Sequence, residues 1–357
     1  MKIVCPACNA SYTIPDRKIP VGKKATATCK RCGKRIEVSA VSETQTVQPV
    51  PTTKQVIPAA APTEPGPVHT GIDEAIFTEY PDLRDLSTDK FDLNEIFTEN
   101  KKGGYKTRNN SFKVKIIKSV SEVLPRMLHD HERVVRVAKG TASYPIEVFL
   151  GNGFLTMMYN HYAVICTTQR ILFINIDHRM KKSTHYLFQM TYPELKKIGR
   201  GSIFGSLTFQ PKIGKKRAFS GMKRAFSKEI KDYVTAKMLT PSPANPDHDF
   251  EDLCPSCLTG LGKGLVECSS CKAPFKEPKK ALTRSLILPG WGDIYLGHRA
   301  LGTLELIGSV VVWFIILASI FAVEEGGLGV AIFILIIYNG LDGLLTFHMA
   351  KKGYMLA

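Results

Sequence analysis

The chain has 357 residues, with 48 Lys and Arg against 32 Asp and Glu, a formal net charge of +16. This length exceeds one ordinary domain, and the charge favours an acidic partner: anionic lipid, nucleic acid or an acidic segment. Composition excludes a wholly disordered chain and a disulfide-stapled mini-protein, and the crowding of apolar residues into the last 75 positions argues against a single-domain soluble enzyme.

Eight of the nine Cys form four Cys-x-x-Cys pairs: Cys5/Cys8, Cys29/Cys32, Cys254/Cys257 and Cys268/Cys271. Two thiolates spaced by two residues grip one ion from a tight knuckle, and two knuckles make a tetrahedral site. The first site closes 20 residues between Cys8 and Cys29, the second 10 between Cys257 and Cys268. Zinc is the expected metal and iron the alternative; disulfides are the competing reading. A closed four-thiolate site has no open position, so two structural zinc ions are expected. A knuckle favours a residue tolerant of left-handed backbone just after its second Cys. Asn9 and Gly33 meet that need better than Leu258 and Lys272.

Residues 1–38 contain Met1-Lys2-Ile3-Val4-Cys5-Pro6-Ala7-Cys8, Tyr12, Ile14-Pro15-Asp16, Lys18-Ile19-Pro20 and Cys29-Lys30-Arg31-Cys32-Gly33. This run resembles a short N-terminal zinc ribbon common in bacterial proteins. The resemblance implies a metal-stapled ribbon at the start of membrane or regulatory proteins, and no reaction. No apolar h-region of a signal peptide follows Lys2.

Residues 39–70, rich in Pro, Thr, Val and Ala, are expected to be a disordered tether. The next segment, 71–110, begins with nine acids and two bases over 71–99, interleaved with Ile76, Phe77, Leu83, Phe91, Leu93, Ile96 and Phe97. Acids with regular apolar anchors suit a segment that folds on a partner, and this chain's own basic domain is one such partner. A mobile linker is the alternative.

Residues 115–240 read as one globular unit. A helix is expected over Ser121–His131, with Pro125 confined to its first turn. Strands are expected at Arg133–Ala138, Ile146–Leu150, Phe154–Tyr159, Tyr162–Thr167, Arg170–Ile176, Thr184–Met190 and Ser206–Phe209, and a closing helix over Ala218–Met238. This order gives an α+β barrel or sandwich capped by its C-terminal helix. Leu128 to Glu132, the hairpin Val164 to Ile174 with its Thr167-Thr168-Gln169-Arg170 turn, and Tyr192-Pro193-Glu194-Leu195 resemble the features of bacterial pleckstrin-homology-like (PH-like) domains. That resemblance implies a binding or assembly module with no catalytic centre. Fourteen Lys or Arg over residues 179–231 face only two acids. Lys181, Lys182, Lys215, Lys216, Arg217, Lys223 and Arg224 are the candidate residues for an anionic ligand, anionic lipid first and nucleic acid as rival. His129 and His131 are expected on the surface, and Cys166 in the core.

A second ribbon is expected over 252–275, spacing the barrel from a membrane domain at 281–350. Leu306–Val323 holds no charge, Glu324-Glu325-Gly326-Gly327 follows, and Leu328–Leu341 is apolar but for Asn339. Two transmembrane helices at about 304–323 and 328–347 follow. Lys276, Lys279, Lys280, Arg284 and Arg299 precede the pair and Lys351 and Lys352 follow it, so both termini are expected in the cytoplasm at an inner membrane. Asp342, near the inner end of the second span, is expected to pair with loop groups beside Asp293, with Arg299 or with His348. Leu288-Pro289-Gly290-Trp291-Gly292-Asp293-Ile294-Tyr295-Leu296-Gly297, followed by Gly302, resembles the loop signature of the small two-transmembrane-helix domain family. An interfacial or re-entrant turn is expected there.

The expected fold class is therefore multidomain: small zinc ribbons, a PH-like barrel and a transmembrane hairpin. The function expected is a non-enzymatic membrane-anchored adaptor or sensor that binds a protein or anionic lipid at the cytoplasmic face. A membrane-tethered regulator binding nucleic acid is the alternative. An enzyme has no phosphate loop, nucleophile elbow or open metal site to rest on.

Overall fold

The computed structural model describes residues 2–4, 11–13, 24–28, 35–39, 71–85, 88–149, 157–201, 205–239, 250–322 and 327–357. The chain forms two units, Met1–Glu64 and Pro65–Ala357. In the first, β1 (Lys2–Val4) pairs antiparallel with β2 (Ser11–Thr13), and β3 (Lys24–Thr28) with β4 (Arg35–Ser39). Cys5, Cys8, Cys29, Cys32 and residues 40–70 of the expected tether lie outside the described residues.

The second unit opens with four helices, α1 (Gly71–Glu79), α2 (Leu93–Ile96), α3 (Arg108–Val120) and α4 (Leu124–Met127). Next come β5 (Val134–Ala142), α5 (Pro145–Phe149), β6 (His161–Thr167), β7 (Arg170–Ile176), β8 (Ser183–Thr191), β9 (Leu195–Gly201), β10 (Ser206–Pro211), β11 (Arg217–Ser220) and α6 (Arg224–Met238). Then follow β12 (Glu251–Leu253), β13 (Gly260–Leu261), α7 (Pro278–Ile287), α8 (Trp291–Leu296), α9 (Arg299–Ala322) and α10 (Gly327–Ala350). Nine strands make one curled antiparallel half-barrel sheet in the order β13-β12-β8-β7-β6-β5-β11-β10-β9.

Period-two alternation sorts the sheet's side chains onto two faces. Tyr162, Val164, Cys166, Ile171, Phe173 and Phe188 point into an aromatic core with Phe209 and Phe219. Ala163, Ile165, Leu172, Ile174 and Leu187 point the other way. The acidic segment covers that second face: Ile76, Phe77, Leu83, Phe91, Leu93, Ile96 and Phe97 are buried against it with Ile116, Ile117 and Val120 of α3. Burial of such side chains is worth about 1.5–3 kcal/mol each, so apolar contact dominates. The exposed ion pairs Asp82–Lys118 and Glu95–Arg136 add little.

Local expectations fail in four places. Of the strand expected at Ile146–Leu150, residues 146–149 are helical and Leu150 lies outside the described residues: Pro145 opens the short helix α5, because a residue without an amide donor suits a first helical turn better than a ladder. Residues 157–159 form a turn, and 154–156 lie outside the described residues. The helix expected over Ser121–His131 is only the turn Leu124–Met127, and the long helix precedes it at Arg108–Val120. The closing helix starts at Arg224, since Arg217–Ser220 pair as a strand with β5 and β10.

The second ribbon is no spacer. Its strand β12 joins the sheet beside β8, with Glu251 opposite Gln189 and Asp252 opposite Phe188. The sheet meets the apolar hairpin directly: the Tyr186 hydroxyl donates to the Met349 carbonyl (2.9 Å), and the Leu301 amide donates to the Tyr159 hydroxyl (3.3 Å). Lys352, buried, pairs with Glu147 and donates to Asn160 Oδ1 (2.7 Å). Register fixes which end of the sheet this is. Thr141 lies opposite His161, Tyr162 opposite Asn175, Ile176 opposite Ser183, and Phe219 opposite Ala142. The turn at 177–182 therefore leaves the sheet from the end that carries Glu147, Tyr159 and Asn160. The curl of the sheet puts the start of the 212–216 turn elsewhere: the Lys212 amide donates to the Glu194 carbonyl, next to Thr191 and Arg170 at the opposite end of β7 and β8.

Helices α9 and α10 are each 24 residues long, about 36 Å, enough by length and composition to cross about 30 Å of hydrocarbon. Ahead of them, α7 and α8 form a helical turn that packs on α10. Gly290, at φ +82°, and Gly302 let this turn touch α9: a Cβ on Gly302 would sit 2.5 Å from the Gly290 carbonyl oxygen.

Candidate metal centres

The ribbon at the sheet edge brings Cys254, Cys257, Cys268 and Cys271 together, their sulfurs all within 4.8 Å of one another. Cys254 and Cys271 Sγ are 3.8 Å apart, and Cys257 and Cys268 Sγ 3.6 Å. Four thiolates about 2.3 Å from a tetrahedral zinc lie about 3.8 Å from each other, so the set fits zinc. The two knuckles are built alike. The Leu258 amide donates to the Cys254 carbonyl and the Lys272 amide to the Cys268 carbonyl, both at 2.9 Å. Leu258 (φ 63°) and Lys272 (φ 60°) both take the left-handed backbone that a knuckle needs. Burial pushes the Cys254 thiol up to about 12, whereas the Thr259 hydroxyl, 3.4 Å from Cys257 Sγ, and its amide draw Cys257 down to about 6. These four residues would hold the ion, and a closed thiolate set makes its role a staple for the fold.

A second cluster has no sulfur. Asp293 of α8, Glu305 of α9 and Asp342 of α10 place carboxylate oxygens within 4.8 Å of one another. Asp293 Oδ1 lies 3.1 Å from His298 Nδ1, and Oδ2 accepts from the Thr346 hydroxyl at 2.6 Å. Asp342 Oδ2 accepts from the Gly290 amide at 3.1 Å. Both Glu305 oxygens are enclosed and receive no hydrogen bond. Counted along the helices, Glu305 and Asp342 lie about 9 and 12 Å in from the ends that meet the sheet. At 4.8 Å two unit charges repel by about 3.5 kcal/mol at an effective dielectric of about 20, so three ionised carboxylates sum to roughly 10 kcal/mol. Of the partners expected for Asp342, the loop beside Asp293 supplies one through Gly290, while Arg299 and His348 are not bonded to it; His348 instead faces Tyr144 and Glu147. Glu305 escaped the sequence reading because it stands one residue before the uncharged run that defines the span.

The candidate basic residues separate into two groups. Lys181 and Lys182 are exposed on the turn at the hairpin end of the sheet, Lys215 and Lys216 are exposed on the turn between β10 and β11, and Arg224 is exposed at the start of α6. Arg217 lies inward, its guanidinium 4.1 Å from the Phe188 ring centroid and 4.5 Å from that of Phe250. Lys223 lies over Phe112 and Phe226 and donates to Arg108 and Asn109. The Thr-x-x-Arg turn serves structure: Arg170 Nε and Nη2 grip buried Glu132 at 3.0 and 2.9 Å, and Thr167 Oγ1 donates to the same carboxylate at 2.6 Å. Cys166 is fully buried, and burial pushes its thiol up to about 12. His129 and His131 are exposed.

The chain matches no curated protein and no solved structure. Residues 1–37 match the zinc-ribbon domain family, so the chain carries a zinc ribbon at its N-terminus besides the four-cysteine cluster at 254–271.

Proposed function

We propose that this chain is a membrane-anchored, zinc-binding adaptor whose PH-like β-domain engages anionic lipid headgroups at the cytoplasmic face of the inner membrane. Its N-terminal ribbon is a tethered head for a protein partner. The observation that carries the reading is the shared end of the sheet: the exposed Lys181 and Lys182 leave it from the side that meets both ends of the hairpin. A bilayer crossed by that hairpin lies beside that turn, where each lysine contributes about 1 kcal/mol of attraction to anionic lipid. Both termini of the hairpin then face the cytoplasm, in keeping with its basic flanks and with thiolates that need a reducing compartment. The role is non-enzymatic, because a closed four-thiolate site leaves no position for a substrate.

The test uses the full chain held in neutral-lipid nanodiscs and floated with vesicles. Vesicles with about one-third phosphatidylglycerol should be captured and purely zwitterionic ones should not, and capture should fall steeply between 0.1 and about 0.5 M salt. Reversing Lys181 and Lys182 to Glu should weaken capture at least about tenfold. Equal capture of both vesicle types, or tighter binding of duplex DNA than of anionic vesicles, overturns the reading; the DNA result favours the nucleic-acid regulator.

A further inference from the structure

The three carboxylates inside the hairpin are unexplained by anchoring or by zinc. Hydrocarbon-spanning helices exclude charge unless it is used, and here three acids from three helices converge on one point. Two of them are already oriented by donors: Asp293 by His298 and Thr346, and Asp342 by the Gly290 amide. Thr346 is held in turn by Ser285 of α7, whose hydroxyl lies 3.0 Å away. The third, Glu305, turns two enclosed oxygens into the cluster with no donor at all. Lys352, the base buried at this end of the hairpin, is committed to Glu147 and Asn160.

A half-open pocket of about 270 Å³ adjoins the cluster between α9 and α10, lined by Glu305, Asp342, Tyr338 and Gly308 with leucines around them. Liquid water occupies about 30 Å³ per molecule, so the space admits an ion together with several waters. Oxygen-only ligands select hard cations rather than zinc, and an ion that keeps part of its water shell needs few protein ligands. Donors behind first ligands are the usual outer frame of a metal site.

We infer that Asp293, Glu305 and Asp342 bind one hard divalent cation of the magnesium, manganese or calcium class within the membrane hairpin, with Glu305 as the ligand that has no other partner. The ion ties the α7–α8 turn to both spanning helices. It is separate from the zinc ribbons in place and in ligand chemistry.

The experiment takes the full zinc-loaded chain in detergent, freed of other divalent ions, and titrates it with Mn2+ by electron paramagnetic resonance. Expected is one bound Mn2+ per chain beyond the zinc complement, displaced by Mg2+ or Ca2+. Trp291 and Trp313 both sit in the membrane domain, so their fluorescence should report a rise in its unfolding temperature with the ion. Glu305→Gln and Asp342→Asn should each weaken Mn2+ binding at least tenfold with zinc content unchanged, while Glu147→Gln should not. No Mn2+ bound to the wild-type chain at 1 mM overturns the inference and leaves shared protons as the counter-charge. Binding unaltered in a folded Glu305→Gln chain overturns it as well. The wild-type stoichiometry stands as a test even where a variant does not fold.

Discussion

The buried pair Glu132–Arg170 offers a sharp test of how the sheet is tied to the helical segment before it. Replacing Arg170 by Met keeps the length of the side chain and removes its charge. Glu132, fully buried, then loses two charge-assisted bonds and keeps only the Thr167 hydroxyl and the His129 amide. Arg170 also binds the Met127 carbonyl and Gln189, and those acceptors lose their donor too. Breaking a buried pair from one side costs about 3–5 kcal/mol, roughly two to three and a half orders of magnitude in the opening equilibrium. Cys166 is the reporter: it is buried in the neighbouring strand, and the other thiols are held by zinc in the loaded protein. Its alkylation rate, normalised to the unfolded chain, follows that equilibrium. The pH dependence adds a signature. In the native chain burial pushes the Glu132 carboxyl up, but Arg170, the His129 amide and Thr167 outweigh it and hold it below its ordinary value. Its contribution is therefore present above the unfolded pKa and lost as pH falls through the folded one. Without Arg170 burial prevails, the folded pKa rises, and stability is instead lost as pH rises, so the penalty should be larger at pH 8 than at pH 5. Acceleration of less than tenfold, or equal at both pH values, would refute the reasoning.

His161 is pushed down to about 4, first by burial and then by Lys139 and His178. The native ring stays neutral while the unfolded chain takes up a proton, so stability should fall as pH drops from about 6.5 to 4; after allowance for partial exposure the loss is about 1–2 kcal/mol. Thermal unfolding of His161→Gln should lack that part of the acid slope. Gly302→Ala should push the α7–α8 turn off α9, costing about 1–3 kcal/mol and shifting Trp291 emission to the red; Gly340→Ala, with nothing within 4 Å of the added carbon, should be neutral. Lys352→Met strands buried Glu147 and should lower the unfolding temperature by the equivalent of about 3–5 kcal/mol, most of which Glu147→Gln in the same chain should restore.

What was legible in the sequence was local and periodic. The hairpin 163–174 showed because apolar residues run through both of its faces around a three-residue turn, and both faces are indeed buried. The apolar spans and the paired cysteines showed for equally local reasons. Misreadings arose where a partner far along the chain decides. Ile146–Leu150 has strand-like composition, yet its described residues 146–149 are helical, and Glu147 among them meets Lys352, more than 200 positions away. Glu305 reads as a flank of its span until the α7–α8 turn carries Asp293 to it. At Leu258 and Lys272 the preference for glycine was outweighed rather than absent. Left-handed backbone costs an ordinary residue about 1–2 kcal/mol, whereas a structural zinc returns about 10–16 kcal/mol to folding.

The way the sheet is covered narrows where a partner can act. A binding domain built on a sheet commonly offers one face, but here the inner face is filled by aromatic side chains and the outer face by the acidic segment. One edge is extended by the four-cysteine ribbon through β12 and β13. Arg217 and Lys223, basic residues that composition alone would assign to a ligand, are stacked on rings within the fold. Recognition is thereby left to the turns, and Lys181 and Lys182 among them lie at the end where the hairpin docks. Tyr186, Tyr159 and Lys352 bond that end to the hairpin directly, and the carboxylate cluster lies about 9–12 Å further in along α9 and α10.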